Sequence, residues 1–421
     1  MKAWALGQIA RIRDFDDPTY DPFTAMGTLG GEDRIADFYP ELARLRAAGP
    51  VFEGDLRQHF GLYGDLTMAS LRHVAVLGHR EVNTVLRDPA TFSNAIYNHN
   101  LGVFFGRSVT TMDQPEHERY RRLFQRAFNP KMVQRWADIL IPRTITRLID
   151  DFAPSGHADL VSEFTLHFPF HFIHELLGLP LEDREIFQKL AFGQIGIIFD
   201  TEHGTDAIEK LKSYLTEIVA DRRRAPIEGD FISAIATSEV DGERLPEDVV
   251  IAFFRQLMNA AGDTSYHGSS TILAGLLTHP DQLAAVQADR LLVNSAIEEG
   301  LRWNAPVPVI SRTTLREVEL AGVRINPGDH IAVVLAAANR DPAAFPDPDF
   351  FDISRGTQLN LAFGSGTHLC MGRHLARLEM GIAINMLLDR FPRLRLDPDH
   401  PAPEVRGFSL RKPSAVHVRF D

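Results

Sequence analysis

Apolar residues recur at spacings of three and four along much of the chain between residues 130 and 301, and this period predicts amphipathic or buried helices. The longest helical pattern extends from Pro246 to Thr278. Pro246 suits the first turn of a helix, and the pair His279-Pro280 would end it. A helix of that length would span roughly 50 Å. Because it is apolar on most faces, we expect it to cross the interior of the protein.

The middle of this predicted helix departs from the apolar pattern. It reads Ala-Ala-Gly-Asp-Thr-Ser over residues 260–265, so that Gly262 and Asp263 fall in its most buried stretch. A buried carboxylate is unfavourable unless it has a partner. A local exception of this kind is typical of a functional site.

Patterns typical of strands are fewer. They are Leu62–Met68 with His73–Leu77, Glu319–Ile325 with His330–Leu335, and Ala415–Phe420. The residues Asn326–Asp329, Asn-Pro-Gly-Asp, predict a turn. No internal repeat and no Ser/Gly/Pro-rich linker is evident. We therefore expect a mainly α fold with a small segregated β portion, and one domain over residues 1–421.

Composition and charge narrow the class of protein. The chain has 421 residues, 44% hydrophobic and 24% charged, and its net charge of −12 argues against nonspecific nucleic-acid binding. A single cysteine excludes an intramolecular disulfide and a Cys-rich zinc site, and it fits a reducing compartment. The apolar stretch near the N-terminus is too short for a membrane anchor and unlike a signal peptide. These features predict a cytoplasmic protein.

The lone thiol, Cys370, lies in an unusual segment. Gly364 and Gly366 precede it, and a helical pattern follows at once. A cysteine at a helix N-terminus is stabilised as the thiolate, which is the form that can bind haem iron. An isolated cysteine is more often a buried structural residue. The glycines around this one favour a ligand instead.

The segment resembles the haem-ligand signature of the cytochrome P-450 superfamily, in its soluble bacterial type. The signature F-G-x-G-x-H-x-C-x-G-x-x-L-A-R is met at every fixed position from Phe363 to Arg377. The resemblance covers about residues 35–421 and implies a triangular helical prism with haem b between the long central helix and the Cys-ligand helix. By this resemblance the haem contacts include Cys370 as axial ligand, Phe363, Gly364 and Gly372.

Further matches occur in the family's order. The implied propionate partners are His117, Arg121, Arg312 and His368. Four-residue spacing places the first two on one helix face. The implied oxygen-activation pair is Asp263 and Thr264, which would manage proton delivery. The implied structural ion network is Glu299, Arg302 and Arg355.

The sequence departs from the family's common pattern at three places. Ala261 stands where glycine is common, Tyr266-His267-Gly268 is an unusual continuation, and Asn360 stands where relatives often have histidine.

The resemblance implies a monomeric monooxygenase that inserts one atom of O₂ into an apolar small molecule. No flavin or nicotinamide motif is present. We therefore expect electrons from a ferredoxin-type donor with its reductase, and no nucleic-acid or membrane partner. Basic residues at 119, 122, 126, 131, 373 and 377 are the implied docking surface for that donor.

A peroxygenase that uses H₂O₂ directly and a haem-based sensor are the alternatives. The Asp263-Thr264 pair argues against the first, and no signalling or DNA-binding motif supports the second.

The sequence does not distinguish between four classes of substrate, namely a terpenoid, a steroid, a fatty acid and a small aromatic molecule. By resemblance the cavity is lined by apolar and aromatic residues. They are Ile96, Tyr97, Phe104, Ile195, Phe199, Met258, Ala261, Val307, Val309 and Phe408.

Overall fold

The computed structural model describes residues 21–23, 34–62, 68–128, 130–197, 200–240, 242–357 and 360–421. The chain folds into two compact units, and each is assembled from segments that are separate in sequence. Among the described residues, unit 1 comprises 21–23, Asn94–Leu140 and Phe170–Asp263. Unit 2 comprises 34–93, Ile141–Pro169 and Thr264–Asp421. The expectation of one domain stays a prediction.

Unit 1 is almost entirely helical. Its α-helices are Leu101–Phe105, Glu116–Ala127, Pro130–Arg135, Arg184–Gly196, Thr201–Arg224 and Phe231–Ala236. The helix Phe168–Leu176 also belongs mainly to unit 1. It begins two residues before Phe170, where the second long segment of unit 1 starts. A short hairpin pairs Glu239–Val240 with Glu243–Arg244. Aromatic side chains fill the interior, as where the rings of Phe124 and Phe253 stack with centroids 3.9 Å apart.

The longest helix of the described residues, Glu247–Thr278, is called the central helix. Its residues through Asp263 belong to unit 1, and those from Thr264 belong to unit 2. It begins one residue after the predicted start and ends at the predicted residue, where His279-Pro280 follows. The next helix starts at Pro280, which occupies a first-turn position that needs no amide N–H.

Unit 2 contains the other helices and most of the described strands. Its α-helices are Tyr39–Ala48, Leu56–His59, His79–Arg87, Ile141–Phe152, Pro280–Ala288, Leu292–Trp303, Leu335–Asn339 and Arg373–Arg390. Its main sheet has the strand order Val51–Glu53, His73–Val76, His330–Val334, Val309–Thr314, Phe92–Ser93. A second sheet has the order Arg395–Leu396, His417–Arg419, His157–Asp159, and Val405–Arg406 pairs with Lys412–Pro413.

The main sheet is apolar on both faces. Along the strand His330–Val334, Ile331 and Val333 pack into one buried cluster, while Ala332 and Val334 pack into another. The neighbouring strand His73–Val76 alternates in the same way. Successive side chains of a strand point to opposite faces, so a fully buried strand reads as a continuous apolar run.

These observations confirm the predicted class, mainly α with a segregated β portion. One predicted strand, Glu319–Ile325, is wrong. It consists of two short strands, Val318–Leu320 and Val323–Ile325, that pair with each other across a turn. Ala321 and Gly322 both have positive φ there, 50° and 82°, which reverses the chain. The strand His330–Val334 pairs instead with His73–Val76 and Val309–Thr314.

Two other strand predictions need smaller corrections. The C-terminal one is shorter than predicted, at His417–Arg419. Of the predicted strand Leu62–Met68, the two end residues lie outside strands, and 63–67 lie outside the described residues. The Asn326–Asp329 turn is confirmed, with the Asp329 amide donating to the Asn326 carbonyl. Among the described helices none combines the length and apolarity that a membrane span requires.

Two glycines in unit 2 provide a test of helix packing. A Cβ on Gly300 would lie 2.5 Å from the Ile272 side chain and 3.2 Å from its Cα. A Cβ on Gly381 would meet only Ile297, at 3.6 Å. We expect Gly300→Ala to lower the free energy of unfolding by about 1–3 kcal/mol, because the helices must separate. Gly381→Ala should raise it by up to about 1 kcal/mol through helix propensity. Urea unfolding of both variants checks this, and equal effects would contradict the packing.

Candidate active site

The loop before Cys370 has a backbone that depends on glycine. Gly364 and Gly366 adopt φ of 73° and 68°, a region that other residues rarely enter. A Cβ on Gly366 would lie 2.3 Å from the Leu86 carbonyl oxygen, so this position also excludes any side chain. The Cys370 amide then donates to the Phe363 carbonyl at 2.9 Å and closes the loop.

Cys370 is half-buried, and as the single cysteine of the sequence it forms no intramolecular disulfide. The ligand helix, Arg373–Arg390, begins three residues later with Gly372 as its N-cap. Cys370 therefore lies just before a helix N-terminus, where the partial positive charge favours a thiolate. Apart from its chain neighbours, no described atom lies within 4 Å of a Cβ built on Gly364 or on Gly372, so open space borders the chain before and after Cys370 in the sequence.

The structure brings Glu299, Arg302 and Arg355 together in unit 2. The Arg302 guanidinium donates to both oxygens of Glu299, at 2.7 and 2.8 Å, and Arg355 lies 3.4 Å from the same carboxylate. Arg302 also donates to the carbonyls of Asn339, Pro348 and Phe350. A buried carboxylate with two guanidiniums is neutralised and hydrogen-bonded. The cluster therefore fixes the chain segment that leads towards the cysteine loop.

A second ion pair lies next to the first, and the sequence analysis missed it. Arg377 of the ligand helix pairs with Glu298, and its guanidinium lies 4.3 Å from the centre of the Phe363 ring. The Asn360 amide donates to the Glu298 carboxylate at 3.1 Å. Asn360 thus has a polar contact of its own, although it departs from the family's histidine. The adjacent acids Glu298 and Glu299 could have signalled two networks instead of one.

The residues predicted to bind propionates lie in both units. In unit 2, Arg312 is buried in the strand Val309–Thr314, and half-buried His368 ends a 3-10 turn two residues before Cys370. In unit 1, His117 and Arg121 share one face of the helix Glu116–Ala127. Burial lowers the pKa of His117 to about 4, with a smaller effect from Arg121, so its imidazole is neutral at pH 7. A neutral imidazole can donate one hydrogen bond to a carboxylate.

The central helix has one open stripe. Leu257, Ala261 and Thr264 are partly exposed and Ala260 is exposed, although residues on the opposite face are buried. Gly262 lies on the buried face, where a Cβ would come within 2.5 Å of the Phe170 ring. Asp263 is 3% exposed beside this stripe. The predicted acid and alcohol therefore differ in environment, since Asp263 is buried and Thr264 is partly exposed.

Glu379 is a functional candidate that sequence analysis did not identify. It lies in the ligand helix and accepts a hydrogen bond from Ser265 Oγ, next to Thr264 in the central helix. Burial raises its pKa to about 8, against the smaller opposing effect of Ser265, so the carboxyl group is protonated at neutral pH. In the sequence Glu379 resembles any other acidic residue of a helix. Only its tertiary contact with Ser265 distinguishes it from them.

The predicted cavity residues belong to both units. In unit 1, Ile96 and Met258 are buried, and Tyr97, Phe104, Ile195 and Ala261 are partly exposed. In unit 2, Val307 and Val309 are partly exposed. Phe408 packs against the rings of Phe38 and Phe60 in a buried cluster. Phe199 lies outside the described residues.

These features fit a haem whose iron binds the thiol. Cys370 is half-buried, open space borders Gly364 and Gly372 before and after it in the sequence, and the same unit supplies a buried Arg312 and a half-buried His368. Thiolate sulfur is a ligand of haem iron, and guanidinium and imidazole groups suit its propionates. No group of three or more His, Cys, Asp or Glu side chains in the described part of the chain could hold a separate metal ion.

The protonation of Glu379 makes stability depend on pH. Its pKa is about 8 in the folded state and near 4.5 when exposed. Between these values the folded state holds a proton that the unfolded state has released. Rising pH therefore lowers the free energy of unfolding, by up to about 1.4 kcal/mol per pH unit from this group. We expect Glu379→Gln, which can still accept from Ser265, to lose this slope and to become the more stable form as pH rises from 5 to 8.

Urea unfolding of the haem-loaded protein at several pH values measures this difference. The exposed Glu185 supplies a matched control, since Glu185→Gln should keep the wild-type pH profile. Parallel curves for the wild type and Glu379→Gln would show that Glu379 is ionised in the folded state.

Comparison with known proteins places this arrangement in a family. The family model described as Cytochrome P450 matches residues 183–418. The chain is 36% identical over 404 residues to the cytochrome P450 monooxygenase PikC of Streptomyces venezuelae, covering 92% of each chain.

Solved structures agree with the sequence matches. CYP109E1 of Bacillus megaterium, solved with testosterone, has a TM-score of 0.80 at 25% identity and covers 91% of this chain and 99% of its own. P450BioI, solved with an acyl carrier protein carrying hexadec-9Z-enoic acid, has a TM-score of 0.79 at 29% identity, with coverage of 91% and 97%. These structures share the mainly α fold with small sheets. The chain therefore belongs to the cytochrome P450 family and is a haem-thiolate monooxygenase.

Proposed function

We propose that this monooxygenase inserts one atom of O₂ into an apolar small molecule, with electrons from a ferredoxin-type partner and its reductase. The observation that carries the proposal is the half-buried Cys370 just before the ligand helix, preceded by Gly364 and followed by Gly372, both of which border open space. Cys370 would bind the iron of haem b, with Phe363, Gly364 and Gly372 close to it in the sequence. His117, Arg121, Arg312 and His368 would hold the propionates. Residues 1–421 act as a single monooxygenase domain.

Haem, when bound, supplies the activation of O₂, and the chain supplies the protons that this reaction consumes. Amide N–H groups inside a helix are already hydrogen-bonded, so side chains must carry those protons. Thr264 is accessible on the open stripe of the central helix and can orient a water molecule through Oγ1. The buried Asp263 precedes it and moves protons towards it. Positioned proton transfer of this kind typically accelerates a reaction by about 10²–10⁴-fold.

The substrate is proposed to be apolar because the open stripe of the central helix is mostly apolar and so are the predicted cavity residues. The ligands named for two relatives, a steroid and a fatty acyl group, are also large and apolar. A terpenoid, a steroid, a fatty acid and a small aromatic molecule remain the classes to screen. Substrate-induced changes in the haem absorption spectrum would rank them.

The partner is proposed to dock through basic residues in both units. Four of them, Arg119, Arg122, Arg126 and Lys131, follow His117 in unit 1, and Arg373 follows Cys370 in unit 2. An acidic ferredoxin would be attracted to such residues despite the net charge of −12. Arg377 contributes less than the sequence suggests, because it pairs with Glu298. We further propose a cytoplasmic monomer without nucleic-acid or membrane partners.

Thiolate ligation has a direct spectroscopic test. The reduced CO complex should show the strongly red-shifted Soret band of a thiolate-bound haem, and Cys370→Ala should lose both this band and turnover, since the chain has no other cysteine. Met371→Leu is a neighbouring control that should retain the band. An imidazole-type Soret band in the wild type would disprove the assignment.

The role of Thr264 has a kinetic test. Thr264→Ala should still bind haem, substrate and O₂ and still consume NAD(P)H, but release much of the reducing power as H₂O₂, because Oγ1 no longer holds the water. The measurement is product formed per NAD(P)H consumed, with a ferredoxin and its reductase. Thr271→Ala is the control, a buried threonine of the same helix whose hydroxyl has no hydrogen-bond partner among the described residues.

Asp263→Asn should slow O₂ consumption instead, since it removes the proton relay. An unchanged product ratio in Thr264→Ala would assign the role to another group. The same assay with H₂O₂ alone tests the peroxygenase alternative, and absence of turnover under both regimes would favour a sensor.

A further inference from the structure

Arg255 is a buried cation of the central helix with no carboxylate beside it among the described residues. Its side chain is 5% exposed, and no acidic side chain among the described residues forms an ion pair with it. Burial alone lowers its pKa to about 10, so the guanidinium is still charged at neutral pH. A buried charge is strongly unfavourable unless its N–H groups find acceptors.

Two of the acceptors belong to the end of a short helix. The Arg255 guanidinium donates to the backbone carbonyls of Phe104 and Phe105, the last two residues of the helix Leu101–Phe105. Carbonyl groups at a helix C-terminus have no partner within the helix and carry partial negative charge. A helix of five residues is not stable by itself. Arg255 therefore stabilises this helix, and the helix compensates the charge of Arg255.

The third acceptor belongs to the helix Arg184–Gly196. Arg255 Nε donates to Gln194 Oε1 at 3.4 Å, and Gln194 Nε2 donates back to the Arg255 carbonyl at 3.1 Å. Gln194 also donates to Asn259, whose amide donates to the Ala191 carbonyl at 2.7 Å. These buried amides hold one turn of this helix against one turn of the central helix.

The orientation of Arg255 separates this cluster from the proton-delivery residues. At about 100° per residue, Arg255 and Thr264 lie on opposite faces of the central helix. Arg255 shares its face with Gly262, which packs against Phe170, whereas Thr264 belongs to the open stripe. Arg255 therefore acts on the surrounding helices and does not contact the reacting atoms.

We infer that Arg255 is a positioning residue that fastens the helices Leu101–Phe105 and Arg184–Gly196 to the central helix as one wall of the substrate cavity. The inference rests on the proposed function, which places Phe104 and Ile195 of these two helices in that cavity. The acceptors of Arg255 among the described residues are all neutral oxygens, so water can replace them when the wall opens. The outer side of the short helix already faces solvent, with Val103 68% exposed. Arg255 thus controls entry of large substrates and the shape of the closed cavity.

Hydrogen exchange provides a test that does not depend on activity. In Arg255→Met holoenzyme, amide exchange should become at least about tenfold faster both in residues 100–106 and in residues 188–196, because one side chain holds both segments. Arg255→Lys keeps the charge but lacks the planar fork that reaches several acceptors, so its exchange should be intermediate. Faster exchange in only one segment, or in neither, would overturn the coupling.

Ligand association provides the functional test. Clotrimazole, a bulky azole, should bind the ferric haem of Arg255→Met at least about tenfold faster than that of the wild type in stopped-flow absorbance. Imidazole should change less than about twofold, because a small ligand enters without opening of the wall. Arg222→Met is the control. Arg222 is equally buried in unit 1, but it pairs with Asp230, so its loss should lower stability without changing the ratio of the two rates.

The outcomes separate this inference from the proposed function. Loss of the red-shifted CO band in the wild type would reject the proposed function. A normal band with equal rate changes for both azoles would reject the role of Arg255 alone. If Arg255→Met does not fold, Gln194→Ala removes the acceptor on the longer helix only. It must then accelerate both the exchange of residues 188–196 and clotrimazole binding, and failure of either overturns the inference.

Discussion

The buried carboxylate of Glu299 holds together the part of the structure on which the cysteine loop depends. Two guanidiniums neutralise it, and one of them, Arg302, also binds three backbone carbonyls between residues 339 and 350. Removal of the Glu299 carboxylate would leave the buried Arg302 guanidinium without an acidic partner among the described residues. The loop that follows has little regular structure of its own and takes positive φ at two glycines. A thiolate can be presented in a fixed position there only because its surroundings are rigid.

Buried ionisable groups are compensated in four different ways in this protein. Glu299 is paired with cations, Glu379 keeps its proton, His117 is neutral, and Arg255 is surrounded by neutral oxygens. A paired carboxylate resists any change of geometry, which suits a structural role. A charge held only by carbonyl and amide oxygens can exchange them for water at small cost, which suits a segment that must move. The kind of compensation thus indicates what each group is for.

Much of the site could be predicted from residue order and helical period. The central helix could be predicted from its apolar spacing and from Pro246 and His279-Pro280 at its ends. The cysteine loop could be predicted from its glycines. The strand error at Glu319–Ile325 has a local cause, because Ala321 adopts positive φ, which its side chain does not favour. Glu379 and Arg255 could not be recognised as special. Their environments arise from residues 114 and 61 positions away, Ser265 and Gln194.

The two faces of the central helix have different environments. Its open stripe carries the partly exposed Thr264, and its buried face carries Arg255 and Asn259, which hold neighbouring helices of unit 1. In the proposed function, proton delivery therefore depends on one face of this helix and the positioning of neighbouring helices on the other. Gly262 permits this, because its missing side chain lets Phe170 approach the buried face while the next residue, Asp263, stays beside the stripe. A change of substrate size would then be accommodated by residues near 255, while the chemistry near 264 stays the same.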